Sequence, residues 1–415
     1  MSASEHSRRS SALFKSVAKD ALRLVKGGEW SLIRSGGMLQ LSKETFNLRH
    51  PLGRGKDGAA DALRLIGIRI NDLCNLRCHT CGQWGDNGYL RGTPLKELKQ
   101  REIPVEKYMA MADEVHRLGW RPVWYIWGGE PMMYPGILRF IEHLSNLGMA
   151  VTLVSNGLHV AARAAQLVKH LKILFLSIDG PDAAIHDEQR PGAAGSRRKS
   201  NFAEIDAALK ALNEEKKRQD RHLPYVQPIS IIAKYNSHCL SDIYNYAAPY
   251  SNGHLFYFAW WIDQISAEQH TEDYERRFGT KPKKHLGWIG DWTASDHEVV
   301  IDQVHRIRKT YQHEGKSYPM IWPPLQTAEE VRTYYTDHTA TFGYDQCVSI
   351  YMTMEINSNG DVSLCRDYND YVIGNILESP VKDIWLGDKA QKFRASIASD
   401  GLMPVCRRCC GLMGQ

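Results

Sequence analysis

Between residues 62 and 262, short apolar runs alternate with amphipathic stretches, and this alternation restricts the fold more than any other feature of the chain. The runs are LRLIGIRI (63–70), PVWYIWGG (122–129), AVTLVSNG (150–157), KILFLSIDG (172–180), VQPISIIA (226–233) and HLFYFAWW (254–261). Each is rich in β-branched or aromatic residues and most stop at Gly, Asn or Asp, as buried strands do. Between them PVEKYMAMADEVHRLGW, PGILRFIEHLSNLG and NFAEIDAALKALNEEKKRQ carry helical apolar spacing, the second opened by Pro135 and closed by Gly148. Six β/α units in a row predict a parallel sheet with helices outside it. Six are too few to close an eight-fold barrel, so the expected fold is α/β, a partial, open (β/α)6 barrel.

In such a fold the loops after the C-terminal strand ends carry the chemistry. Cys74, Cys78 and Cys81 follow the first run, Gly128 to Pro131 the second, Asn156 and Gly157 the third, Asp179 and Gly180 the fourth, and Trp260 to Asp263 the sixth. The unusual residues therefore share one rim. Residues 264–345 break the rhythm and are dense in Trp, Tyr, His and charge, which suggests a mostly helical, aromatic-rich insertion over that rim. From residue 346, SIYMTMEINSNGDVSLC reads as a hairpin turning at Asn359 and Gly360, then a helix around 380–398 and a cysteine-ended tail. This predicts a small α+β auxiliary domain over 346–415.

Residues 1–61 differ again: Leu13, Val17, Ala21 and Leu24 share a helical face, with Lys15, Lys19, Arg23 and Lys26 elsewhere. Such a basic amphipathic helix docks on its own protein or makes peripheral membrane contact. No run approaches the eighteen or so apolar residues of a membrane span, and no secretory signal opens the chain, so the expected location is cytoplasmic. A net charge of +5 over 52 basic and 47 acidic residues is too dilute to point to nucleic acid.

In a reducing compartment, clustered cysteines are metal or redox groups more often than disulfides. Eight of the nine fall in two sets: Cys74, Cys78 and Cys81, and Cys347, Cys365, Cys406, Cys409 and Cys410. Cys239 stands alone and reads as a small buried residue. Structural zinc sites take ligands as two separated pairs, so CxxxCxxC without a fourth ligand suits zinc poorly. Three thiolates suit a [4Fe-4S] cube better, because they bind three irons and leave the fourth open.

The CxxxCxxC loop after the first strand of a partial β/α barrel, with GGEP after the second, resembles the radical S-adenosylmethionine (radical SAM) enzymes over roughly residues 62–262. The resemblance implies that Cys74, Cys78 and Cys81 hold a cluster whose open iron is chelated by S-adenosylmethionine. Reductive cleavage then yields methionine and a 5'-deoxyadenosyl radical that takes a hydrogen atom from a substrate. It also places Gly128, Gly129 and Glu130 at the methionine amino group, and Ser155, Asn156, Ser177 and Asp179 around the ribose and methionine. Arg190, in HDEQRPG, is implied at the cofactor carboxylate. Thr80 stands where most members carry an aromatic residue near the adenine, and its backbone is the expected contact. Capping of a following turn or helix is the alternative reading for Glu130 and Asp179.

The C-terminal set resembles the SPASM extension of the same enzymes in its shortened, twitch form. That form implies an auxiliary [4Fe-4S] cluster held by Cys347, Cys365, Cys406 and Cys409, with Cys410 as the alternative to Cys409; zinc is the competing reading. A fully ligated auxiliary cluster would relay or store an electron. The implied partners are a flavodoxin- or ferredoxin-type electron donor and a small-molecule, sugar or lipid-like substrate, oxidised or modified at an unactivated carbon. The alternatives are a maturase of a ribosomally made peptide, for which neither terminus suggests a leader-binding domain, and a non-catalytic iron-sulfur or zinc protein. Tyr257, Asp263 and Tyr368 are acid/base or radical-proximal candidates because they fall near a strand end or a cluster ligand. Packing in a core is the alternative for Trp260, Trp261 and the other aromatics of the insertion.

Overall fold

The structure is a computed structural model and describes residues 60, 63–194 and 200–413. The N-terminal stretch 1–61, apart from Ala60, lies outside them. Six strands form where the alternation predicts: β1 (Leu65–Arg69), β2 (Val123–Trp127), β3 (Val151–Ser155), β4 (Ile173–Ser177), β5 (Tyr225–Ile232) and β6 (Gly253–Phe258). They are followed by β7 (Tyr318–Trp322), β8 (Thr353–Ile356), β9 (Asp361–Ser363) and β10 (Gly374–Asn375). Among the described residues these make one sheet in the order β10-β9-β8-β1-β2-β3-β4-β5-β6-β7, all parallel from β8 to β7.

Strand alternation gives the sheet two different faces. On β2, Trp124 and Ile126 are buried beneath the helices, and Trp124 meets Phe140 of helix Ile137–Asn146 edge-on at 5.8 Å. Tyr125 and Trp127 point the other way and stay half-buried, as does Phe175 on β4, whose ring lies 6.1 Å from that of Tyr125. The helix-covered face is thus a closed apolar core. The concave face is aromatic and lines a cleft.

Two features go beyond the expectations. Residues 264–345 are helical at Gln264–Phe278, His297–Glu314 and Ala328–Thr336, but Tyr318–Trp322 pairs with β6 as a seventh parallel strand. Helix His297–Glu314 precedes that strand, so the β/α rhythm continues through the stretch. The strand hides in the sequence because Pro319 breaks its apolar run, and a proline is tolerated there because β7 ends the sheet. The strands of the expected small C-terminal domain continue the same sheet: β8 pairs in parallel with β1, and β9 returns antiparallel to β8. The hairpin turns where predicted, with Gly360 at φ +89°. The helix expected around 380–398 is two helices, Val381–Leu386 and Asp388–Asp400, parted at Gly387.

Register places Gly67 of β1 opposite both Tyr125 of β2 and Glu355 of β8. A Cβ at Gly67 would fall 2.1 Å from a Glu355 carboxylate oxygen. Gly67→Ala should therefore displace the buried Glu355 side chain and destabilise the protein by about 1–3 kcal/mol, measured by thermal or urea unfolding under anaerobic conditions.

Candidate iron-sulfur and cofactor site

The exits of β1 and β2 lie side by side. Gly129 N donates to Asn71 O at 2.9 Å and Glu130 N to Leu73 O at 2.8 Å. A Cβ at Gly129 would sit 2.2 Å from Leu73 O, and one at Gly128, where φ is +151°, 2.6 Å from Asn71 O. The two glycines thus admit the backbone that leads into the cysteine loop. This is a role for them that the sequence does not display.

Glu130 is 1% exposed and its carboxylate is fully engaged from within. Oε1 accepts from Met132 N at 2.9 Å and Ser155 Oγ at 2.8 Å, and Oε2 accepts from Asn156 N at 2.7 Å. The residue caps the short turn Pro131–Met133 and ties the exit of β2 to that of β3. Burial pushes its carboxyl up to about 7 against those three bonds. The resemblance places this carboxylate at the methionine amino group, but here it is committed to donors of the protein itself.

Each sulfur of the first cysteine set receives a hydrogen bond. Leu76 N approaches Cys74 Sγ at 3.4 Å, Trp84 N approaches Cys81 Sγ at 3.4 Å, and Arg190 Nη1 approaches Cys78 Sγ at 3.8 Å. Asn156 Nδ2 adds a longer contact to Cys74 Sγ at 3.9 Å and donates to Asn75 Oδ1 at 2.9 Å. Burial first, then the neighbouring thiols, holds the Cys74 thiol well above its ordinary range; burial pushes Cys78 up to about 11 in spite of Arg190. Thiolates here need a positive partner beyond the protein's own donors, which iron supplies. Among the described residues no group of three or more His, Cys, Asp or Glu is gathered into the cage of a single ion. An all-thiol set with donors on every sulfur fits a cluster bound through one thiolate per iron.

The loop is pinned from the far side by the chain after β4: Arg77 N donates to Pro191 O at 2.7 Å and Ala193 N to Asn75 O at 2.8 Å. Arg190 belongs to that segment, and its Nε pairs with Asp179 Oδ2 at 2.5 Å. Asp179 is fully buried, and its Oδ1 accepts from Ile231 N at 2.7 Å. Asp179 is thus a hub between β4 and β5. Arg190, expected at the cofactor carboxylate, spends one donor on Asp179 and turns another to Cys78. Ser177 and Thr80 lie on the same rim, both partly exposed.

In the C-terminal set, the thiols of Cys347, Cys365 and Cys406 feel one another's charge, and Cys409 feels those of Cys406 and Cys365. Cys410 is hydrogen-bonded to Cys409. Its Sγ donates to Asp367 Oδ2 at 3.2 Å, and it influences Tyr125 and Tyr257 inside the barrel. Cys409 Sγ also approaches Asp367 Oδ2, at 4.0 Å, and both thiols line the same cleft, so Cys409 adjoins the other three thiols as well as Cys410. Arg408 fixes the intervening turn: it is 2% exposed and donates to the carbonyls of Tyr334, Ala340 and Asp337 at 2.7–2.9 Å.

Trp288 joins the two sets. Its ring fills the space beside Gly82, where a Cβ would come within 2.3 Å of it, and its Nε1 donates to Asp367 O at 3.2 Å. Gly82 adjoins Cys81, and Asp367 is two residues from Cys365. Trp260 lies 5.8 Å from Trp288 and 5.5 Å from Tyr257. Tyr257, Trp260, Trp322, Tyr334, Cys409 and Cys410 line a small cleft. Of the three acid/base candidates only Tyr257 lines it. Asp263 caps helix Gln264–Phe278 by accepting from Ser266 N at 2.7 Å, and Tyr368 is buried with its hydroxyl donated to Arg408 O at 3.1 Å. Both fall near the expected places in sequence, but the fold spends their polar groups on the backbone. Cys239 is buried, as expected of a small core residue. Sequence reading missed Arg366, Asp367 and Glu355; the positions of the first two beside Cys365 were the available signal.

Residues 68–223 match the radical SAM superfamily, and residues 347–410 match SPASM, an iron-sulfur cluster-binding domain. An AdoMet-dependent heme synthase of Oleidesulfovibrio alaskensis is 29% identical over 144 residues, 34% of this chain and 34% of that protein, so this alignment spans only part of the relative's length. Another, of Nitratidesulfovibrio vulgaris, is 24% identical over 377 residues, 87% of this chain and 89% of that protein. Streptococcus suis SuiB bound to its precursor peptide SuiA has a TM-score of 0.55 at 14% identity, over 85% of this chain and 70% of that one, which is a likeness of fold.

Two substitutions probe this geometry. Cys409→Ser should reduce the iron recovered after anaerobic reconstitution from about eight to about four per chain, whereas Cys410→Ser should leave it at about eight, by iron and sulfide assay. Glu130→Gln sets an amide NH2 against one of three N–H or O–H donors and should cost about 1–3 kcal/mol of stability, read by denaturant unfolding.

Proposed function

We propose that this chain, which matches the radical SAM superfamily over residues 68–223 and SPASM over 347–410, uses S-adenosylmethionine and [4Fe-4S] clusters to oxidise or otherwise modify an unactivated carbon of a small organic substrate held in the aromatic cleft. The observation that carries this reading is the position of the cleft. Cys410 lies in its wall, and Trp260 and Trp288 connect it to the loop of Cys81. A substrate seated there is within reach of both cluster sites.

In this reading Cys74, Cys78 and Cys81 hold the first cluster. Cys347, Cys365, Cys406 and Cys409 hold the second, which relays an electron. The bound cofactors supply reductive cleavage of a sulfonium and abstraction of a hydrogen atom. The chain's own residues do the rest: backbone at Gly128 and Gly129 receives the methionine end, Asn156 and Arg190 orient the loop sulfurs, and the aromatic walls exclude water from a reactive centre. Tyr257 is the cleft residue placed to exchange a proton or hydrogen atom. A flavodoxin- or ferredoxin-type protein supplies electrons. The likeness along most of the chain to one AdoMet-dependent heme synthase supports a small organic substrate over a peptide.

Anaerobic reconstitution should yield about eight irons per chain and, with S-adenosylmethionine and a strong reductant, 5'-deoxyadenosine detected by mass spectrometry. Four irons with one zinc would overturn the auxiliary-cluster assignment, and the absence of deoxyadenosine would overturn the catalytic one.

A further inference from the structure

Within the barrel one guanidinium is set among aromatic rings. The Cζ of Arg366 lies 4.4 Å from the centre of the Tyr125 ring and 5.8 Å from that of Trp127. Its Nε and Nη2 both pair with Glu355 Oε1, at 2.9 and 2.8 Å. Trp127 Nε1 holds the other carboxylate oxygen at 3.3 Å, and Gly67 leaves the space in which that carboxylate sits. Ring, guanidinium and carboxylate are therefore built across three neighbouring strands, β8, β1 and β2, and the short segment after β9.

A buried ion pair stabilises a fold little more than apolar packing of the same volume, so this arrangement calls for another explanation. Within the pair the cation is the more exposed member: the Arg366 side chain is 14% exposed and that of Glu355 only 4%. Glu355 grips the guanidinium on one side and Tyr125 packs against its face, which fixes the plane of the fork. Arg366 influences the Tyr257 phenol and the Cys410 thiol, both in the cleft wall. The remaining nearby acid, Asp367, is bonded to Cys410. The indole N–H of Trp260 is buried without an acceptor among the described residues, so the cleft wall holds a donor lacking a partner.

We propose that Arg366 is the substrate-recognition residue: its outer N–H edge binds a carboxylate carried by a substrate whose aromatic body lies among Tyr257, Trp260, Trp322 and Tyr334. This deepens the radical SAM reading and rests on it. Arginine suits the task because its fork matches a carboxylate and its charge is permanent, while Glu355 and Tyr125 act as positioning residues that prepare it. An analogue without the carboxylate would leave the cation buried with one edge unpaired, which is how such a site discriminates.

The test is binding of 2-naphthoate and of the isosteric 2-naphthamide to the anaerobically reconstituted, S-adenosylmethionine-loaded protein, by isothermal titration calorimetry. The acid should bind about tenfold to a hundredfold more tightly than the amide, as one charge-assisted contact in a desolvated site provides. That preference should collapse in Arg366→Gln and survive in part in Arg366→Lys, with iron content and unfolding temperature checked in each. The comparison of acid with amide is made within the wild-type protein, so it does not depend on a variant's folding. Equal affinities, no binding of the acid, or a preference that persists in Arg366→Gln would overturn the assignment. Deoxyadenosine formation by the same preparation reports on the radical SAM reading separately.

Discussion

The buried carboxylate of Glu130 is the joint on which the rim depends. A glutamate that is 1% exposed can persist only where its oxygens are satisfied, and here the donors come from its own turn and from Ser155 and Asn156 at the end of β3. The backbone on either side is bonded to Asn71 and Leu73, which lead into the cysteine loop. One side chain thereby fixes the relative positions of three strand exits. The loop of Cys74, Cys78 and Cys81 inherits its geometry from that joint and from the pinning segment around Pro191.

The C-terminal cysteines reach the same place by a different route. β8 adds to the sheet beside β1, so Glu355 and the chain through Cys365 are held in register with the strand that launches the first cysteine loop. Trp288 then fills the space between the loop at Gly82 and the segment at Asp367. Two cysteine sets separated by some 270 residues of sequence are thereby bridged by one indole. Arg408, threaded into the carbonyls that end helix Ala328–Thr336, keeps the Cys406–Cys409 turn from moving independently of the cleft.

Much of this was legible from local pattern. The six runs of β-branched and aromatic residues appear as β1 to β6, because a strand buried on a parallel sheet writes its character into consecutive residues. The hairpin at Gly360 was legible for a similar reason, since its turn needs a backbone conformation that glycine adopts freely. β7 was not legible, because Pro319 breaks its run and only the position at the sheet edge makes that proline acceptable. The sites of Asp263 and Tyr368 show the converse. Both lie near the right place in sequence, yet one caps a helix and the other donates to Arg408, and neither use leaves a trace in composition or spacing.

By itself, the sequence determined the class of fold, the rim on which the chemistry gathers and the thiols available for clusters, because periodicity and cysteine spacing are local properties of the chain. The tertiary structure decided which polar groups remain available. Hydrogen-bond partners such as Asn156 for Glu130, Ile231 for Asp179 and Glu355 for Arg366 are distant in sequence, and a side chain's chemistry depends on what has already claimed its donors and acceptors. For the same reason only the fold shows that Cys409 and Cys410, adjacent in the chain, both reach Asp367 and line one cleft.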